Sequence, residues 1–193
     1  RQGDIEVTSH RAQDRRTEEL NFPADGSFAN VADTDFTTPG NHAWAESILA
    51  MPAPSEPELT TTIEAVDDAV ARARAAQERW AQTPWQERRD ILARVAEVMA
   101  AHRADTLAAM ATTTGKTLRE GDPEVSEAID FTTYAAHLTI EHERLSSGLQ
   151  WQPHEVVLVA GPWNFPYAIP ASGLVHALAA GSAARTRSAS PGR

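Results

Sequence analysis

Cysteine is absent from all 193 residues, which excludes disulfides, thiolate metal sites and a cysteine nucleophile within the chain. That absence accords with a reducing compartment, and a cytoplasmic location is the expectation. Positive charge is also scarce: 17 Lys and Arg against 27 Asp and Glu leave a formal net charge of -10 and a pI near 5.1. Such a balance lacks the electrostatic footprint of a nucleic-acid partner and mainly favours solubility. No apolar stretch reads as a membrane span. The longest weakly polar one, residues 168–184, is alanine-rich and interrupted by Pro170, Gly173, His176 and Gly181, so a buried helix is expected there. No internal repeat occurs and no signal peptide opens the chain. Arg1 in place of methionine places the expected true start upstream.

What is present divides unevenly. Residues 1–58 carry recurring Asp, Thr, Pro and Gly without a sustained apolar period, and are expected to be a poorly packed, linker-like segment. One short helix is expected within it, over Asn41 to Met51, with Trp44, Ile48 and Leu49 on one face. Pro52, Pro54 and Pro57 close that segment. From Thr61 the pattern becomes helical. Ile63, Val66, Val70, Ala73 and Trp80 recur at helical spacing behind a capping box of Thr61 and Glu64. Thr83-Pro84-Trp85-Gln86 starts a second helix, with Ile91, Leu92, Val95, Val98 and Met99 as its stripe. A shorter one carries Leu107 and Met110 and stops near Gly115. Asp122-Pro123 is read as the start of another, with Val125, Ile129, Ala136 and Ile140 on one face, widened by Phe131, Ala135 and Leu138.

After the break at Ser146-Ser147-Gly148 comes the apolar run Val156-Val157-Leu158-Val159-Ala160, which predicts a buried strand of a parallel sheet. Gly161-Pro162-Trp163-Asn164-Phe165-Pro166 ends it, and an apolar helix follows from Tyr167. One amide side chain, Asn164, is thereby left at the carboxyl end of the strand, where open α/β sheets place their ligands. Helices followed by strand, turn and helix form the opening of an α/β domain whose sheet is barely begun.

Other groupings are weaker. Thr112-Thr113-Thr114-Gly115-Lys116-Thr117 lacks both the first glycine of a phosphate loop, Met110 standing there, and a strand ahead of it, so Gly115 reads as a helix stop. His137 and Glu141 lie one helical turn apart, with His142 and Glu143 adjacent, but two ligands on one helix make no zinc site and no metal is expected. Arg88, Arg89 and Asp90 read as a charged helix surface. No Gly-x-Ser-x-Gly elbow occurs.

The strand and the turn around Asn164 resemble the aldehyde dehydrogenase family. So do Val66-Asp67-Asp68-Ala69-Val70, Trp80 to Trp85, Arg89-Asp90-Ile91-Leu92 and Gly115-Lys116-Thr117. The stretch Pro123 to Phe131 is similar to the branch that oxidises glutamate semialdehyde, the 1-pyrroline-5-carboxylate dehydrogenases. Phe28-Ala29-Asn30, Asp33-Thr34-Asp35 and Asn41-His42-Ala43-Trp44 resemble the segment joining the two enzymes of bifunctional proline utilisation A. The resemblance implies an α/β aldehyde-dehydrogenase-like fold: amino-terminal helices plus the beginning of a Rossmann-like parallel sheet, incomplete. It implies three parts, the linker-like 1–58, the amino-terminal part of a cofactor domain over 59–182, and an aberrant tail over 183–193. By the same match the Asn164 amide holds the oxyanion, Ala160, Gly161, Pro162 and Trp163 border the cofactor, and Phe165 lines the aldehyde pocket. The implied cofactor is NAD, with NADP as the alternative, and FAD only where a proline dehydrogenase domain precedes Arg1. The implied partners are a small aldehyde and further copies of the parent chain; another aldehyde dehydrogenase branch, or a helical interaction remnant without catalysis, remain the alternatives.

The family's cysteine and glutamate are expected beyond Arg193, so the chain by itself is expected to be inactive. Nothing downstream of Ala160 reads as a further apolar strand. Gly181 to Arg193 is rich in Arg, Ser and Thr, with Arg187 where the family has a cofactor-gripping lysine, and an unpaired, poorly soluble strand is expected. A truncated or frameshifted gene product would explain this. Translating the other frames of the coding DNA should then reveal a valine-rich strand ending in Lys-Pro, and its absence counts against the idea.

Overall fold

The protein's structure, a computed structural model, describes residues 12–18, 23, 27–55, 62–145, 148–149 and 151–187, apart from the side chains of 142 and 143. Helix α1 (Pro39–Leu49) carries proline at its start, and the Thr38 hydroxyl accepts from the Asn41 amide. Helix α2 (Ile63–Ala81) is capped by Thr62, whose hydroxyl accepts from the Ala65 amide at 3.2 Å. The expected cap, Thr61, lies outside the described residues; the cap observed is its neighbour, held in an extended conformation. Helices α3 (Trp85–Ala101) and α4 (Arg103–Thr114) are separated only by His102. Gly115, in the left-handed region at φ 72°, ends α4 as its sequence position predicts.

Helix α5 (Leu118–Leu145) begins earlier than Asp122-Pro123 suggests. A capping box decides the start. The Thr117 amide and hydroxyl donate to Glu120 Oε2 at 3.1 and 2.8 Å, and the Glu120 amide returns a bond to the Thr117 hydroxyl. Those bonds hold the Glu120 carboxyl below its usual pKa. Pro123 therefore lies inside the helix rather than at its first position.

Strand β1 (Val156–Ala160), helix α6 (Ala168–Ala179) and strand β2 (Ala183–Arg187) complete a βαβ unit. The strands run parallel with Val156 opposite Ala183 and Ala160 opposite Arg187. This overturns the expectation that β1 lacks a partner. Backbone pairing does not require apolar side chains, so Ala183-Ala184-Arg185-Thr186-Arg187 serves despite its composition. Expectation also fails on burial. Of β1 only Val159 is buried, against α6, while Leu158 is 69% exposed, since no described layer covers that face. Gly173 permits the close approach: a Cβ there would stand 2.9 Å from Val159 Cγ1.

Two apolar clusters hold the molecule together. One joins Ile48, Ala96, Leu107, Met110, Val125 and Ile129; the other joins Leu92, Ala135, Ala136, Val175 and Ala179. The buried line of α3 is Arg88, Leu92 and Ala96, at intervals of four, while the expected Val95 and Val98 are exposed. On α2 only Ala69 is buried, and Ile63 and Val66 are exposed.

Arg88 is a further correction. It is buried, not part of a charged surface, and its Nη1 donates to the Ala179 carbonyl at 3.1 Å while the guanidinium lies 3.9 Å over Trp85. Burial lowers its pKa. Trp80 Nε1 donates to the Leu178 carbonyl at 2.9 Å, so the carbonyl end of α6 is capped from α2 and α3 together. Gly181 follows at φ 90°, and a Cβ there would collide with Arg88 Nη1.

Residues 27–38 are tied to the helices rather than loose: Thr34 and Thr38 are buried, as are Asn41 and Ile48 of α1. The Thr34 amide and hydroxyl each donate to Asp122 at 2.6 Å, and the Val31 amide donates to Asp130 at 2.8 Å. Asp122 also takes a bond from Arg103 Nη1 at 2.8 Å, with both side chains buried. Polar side chains rather than an apolar stripe tie this segment down, which is why a hydrophobic period does not reveal it. Replacing Asp122 by alanine strands the Arg103 charge and should cost about 3–5 kcal/mol. Urea denaturation and limited proteolysis within 27–38 measure that loss; an unchanged midpoint contradicts it.

Candidate functional site

The turn that follows β1 occupies the carboxyl end of a parallel strand, and Phe165 N donates to the Pro162 carbonyl at 3.3 Å to close it. Asn164 thus sits at the third position of a four-residue bend, a place where asparagine is favoured. Pro162, Trp163, Asn164 and Phe165 are all exposed, as is Ala160, while Gly161 is half-buried. Among the described residues the Asn164 side chain makes no hydrogen bond, so its amide is free to donate.

Both ends of the bend are fixed. At Gly161 the chain lies against α6, where an added Cβ would come within 2.5 Å of Pro170 Cγ. On the other side, Glu124 reaches across from α5. Its Oε1 accepts from the Tyr167 amide at 2.7 Å and the Ala168 amide at 3.1 Å, capping the first turn of α6. Its Oε2 pairs with Lys116 Nζ, and Lys116 stands 4.5 Å over the Phe165 ring. The Tyr167 ring packs on the first apolar cluster, and burial raises its phenol pKa while a bond with Thr106 opposes that shift.

Phe165 also borders a depression of about 440 Å³ with Glu120, Pro123, Glu124, Glu127 and Asp130. Six residues named in this neighbourhood therefore come from α5 or the loop before it. The strand-and-turn pattern points to Asn164 and the family resemblance to Phe165, but neither points to Lys116 and Glu124 as the groups that hold the bend. The Thr117–Glu120 capping box was the available signal, since it fixes the helical phase that turns Glu124 towards α6.

The alternative groupings resolve otherwise. Thr112, Thr113 and Thr114 donate their hydroxyls to the carbonyls of Ala108, Ala109 and Met110, at 2.9, 2.7 and 2.7 Å. They are helix hydroxyls, not a phosphate cradle. His137 stacks with Tyr134, and Glu141 pairs with Arg144 at 2.7 Å; the side chains of His142 and Glu143 lie outside those described. Among the described residues no three His, Asp or Glu side chains lie close enough together to hold a metal. None of the described helices is long and apolar enough to cross a membrane.

The aldehyde dehydrogenase family model matches residues 57–191, well over half the chain. The chain belongs to the aldehyde dehydrogenase family. Its relatives include the N-succinylglutamate 5-semialdehyde dehydrogenase of Salmonella paratyphi A, 37% identical over an alignment of 125 residues that covers 61% of this chain and 25% of that one. Among solved structures, proline utilization A from Corynebacterium freiburgense superposes with a TM-score of 0.67 at 34% identity, covering 88% of this chain and 17% of that one. The 1-pyrroline-5-carboxylate dehydrogenase from Thermus with bound NAD gives a TM-score of 0.72 at 21% identity, covering 84% and 40%, a likeness of fold. The chain therefore spans about a quarter of the length of the curated relative it matches. Its fold is that of an aldehyde dehydrogenase in part, mostly helical with a short two-stranded parallel sheet.

The packing of Gly161 on Pro170 yields a direct expectation. Gly161→Ala should push the bend away from α6 and cost about 1–3 kcal/mol, the usual range for overpacking. Denaturant unfolding measures it, and a neutral substitution would show that the bend is not held there.

Proposed function

We propose that the chain is part of an NAD-dependent aldehyde dehydrogenase that oxidises L-glutamate γ-semialdehyde, the open form of 1-pyrroline-5-carboxylate, to glutamate in proline breakdown. The observation that carries this reading is the extent of the likeness to proline utilization A. A match over 88% of 193 residues is about 170 residues, more than the 137 from residue 57 to the end. It must therefore extend into the segment ahead of the family domain, which also resembles the proline utilisation A connection. The relatives with sequence likeness favour a second reading, N-succinylglutamate 5-semialdehyde as substrate. Both aldehydes share the glutamate skeleton and differ at the amine, so relative kcat/KM for the two, measured on the full-length enzyme, separates the readings.

In this proposal Asn164 is the oxyanion donor. Its free amide, held by a bend with little freedom to reorient, stabilises charge as it develops on the aldehyde oxygen. The amide is exposed, and donors of this kind act strongly only where water is excluded. A facing wall from other parts of the enzyme is therefore part of the proposal, as are the thiol nucleophile and the water-activating base. Phe165 lines the aldehyde side.

NAD, when bound, supplies the hydride acceptor. The open backbone of Ala160, Gly161, Pro162 and Trp163 at the end of β1 fits one flank of the nicotinamide ribose. The start of α6 does not fit the pyrophosphate. Doubly wound folds hold that group on a helix N-terminus, but here the Tyr167 and Ala168 amides already serve the Glu124 carboxylate. A second anion at the same amides would be repelled, so the phosphates are held elsewhere in the enzyme. The parent enzyme is proposed to be cytoplasmic and oligomeric, with residues 1–58 as connector, 59–182 as the beginning of the cofactor domain and 183–193 as a departure from the family.

Purified alone, the chain is expected to form no NADH from either aldehyde, having no cysteine. Production above background overturns the proposal. In the full-length enzyme, Asn164→Ala should lower kcat by about 10²–10³ with the fold unchanged. Steady-state kinetics with circular dichroism test this, and an unaltered kcat removes Asn164 from the mechanism.

A further inference from the structure

Lys116 is the only lysine in the chain, and it is spent on a largely buried ion pair. A pair of that kind contributes little net stability compared with apolar side chains of similar size. Its geometry is more informative. The three groups contacted by the pair are the Phe165 ring, the Tyr167 amide and the Ala168 amide. All fall within four residues of Asn164, on its carboxyl side. Phe165 is moreover 43% exposed and belongs to neither apolar cluster.

We propose that Lys116 and Glu124 are positioning residues: the pair fixes Phe165 and the first turn of α6, and so fixes the direction in which the Asn164 amide donates. This rests on the reading of Asn164 as the oxyanion donor. The mechanism is a chain of constraints. Glu124 is carried by α5, whose phase is set by the Thr117–Glu120 cap and whose Val125 and Ile129 are fully buried. The carboxylate therefore has a defined origin, and its two oxygens divide their work. One holds the α6 amides; the other holds Lys116 so that its ammonium lies over Phe165. With Gly161 packed on Pro170 at the opposite end, Asn164 is bracketed on both sides.

A single lysine makes the test clean. Acetylation of the full chain by an N-hydroxysuccinimide ester, mapped by peptide mass, reads Lys116 against only the terminal amine. Lys116 should react at least about 10-fold more slowly in the native chain than in urea, because the paired ammonium must first open. Glu124→Gln should restore most of the denatured rate. In hydrogen exchange, Lys116→Met should raise the rate across residues 163–168 by about 10-fold and leave residues 125–136 within about two-fold. Lys116→Arg, which keeps a cation over the ring and a partner for the carboxylate, should retain protection; a role confined to overall stability would not show this local loss and rescue.

Native acetylation at the denatured rate overturns the proposal, as does unchanged exchange over 163–168 in Lys116→Met. Should Glu124→Gln fail to fold, the native acetylation rate and the Lys116 variants still decide. None of these measurements uses turnover. Loss of the oxyanion role would appear only as an unaltered kcat in Asn164→Ala, and the two failures are told apart.

Discussion

A carboxylate taken out of water must find donors, and α5 carries two such groups two residues apart. Asp122 and Glu124 are both buried, and each is satisfied by a different part of the chain. Asp122 gathers Arg103 and Thr34, pinning the segment ahead of α1. Glu124 gathers Lys116 and the first amides of α6, pinning the turn after β1. Because an unpaired buried charge costs several kcal/mol, each set of partners is compelled rather than optional. The long helix is thus the frame on which both the amino-terminal segment and the candidate site depend.

The other end of α6 is organised by the same logic with the polarity reversed. Its last carbonyls need donors, and Trp80 and Arg88 supply them from two different helices. Helix α6 is therefore capped by an anion at its start and by donors at its end, the arrangement that its dipole favours. Fixing both ends of the crossover helix sets how β1 and β2 come together, and so where the bend carrying Asn164 emerges. Arg103 Nη2 and Arg88 Nε are buried without an acceptor among the described residues.

Local sequence chemistry made several of these elements legible. Gly115 stops α4 because glycine accepts the left-handed conformation at no steric cost, and Pro162 with Pro166 ends the strand because neither can extend a ladder. The amphipathic face of α5 is buried at Val125, Ile129 and Ala136 as its period requires, while Ile140, expected on the same face, is exposed. Misreadings arose where the deciding partner is distant. Asp122-Pro123 has the form of a helix start, yet the reciprocal bonds of Thr117 and Glu120 fix an earlier one. Arg88 has the form of a surface residue beside Arg89, yet its guanidinium meets a carbonyl 91 positions away.

By itself the sequence determined the order of helices, the strand, its proline-framed bend and the presence of one amide there, since these follow from backbone preferences within a few residues. It also determined that this chain offers no thiol. Only the tertiary structure decided that an arginine- and threonine-bearing stretch would pair with β1, that the segment before α1 would be clamped by Asp122 and Asp130, and that Lys116 and Glu124 would brace the bend. Ladder bonds and buried ion pairs join groups far apart along the chain, and the strength of each depends on desolvation, a quantity that exists only once the chain has folded around it.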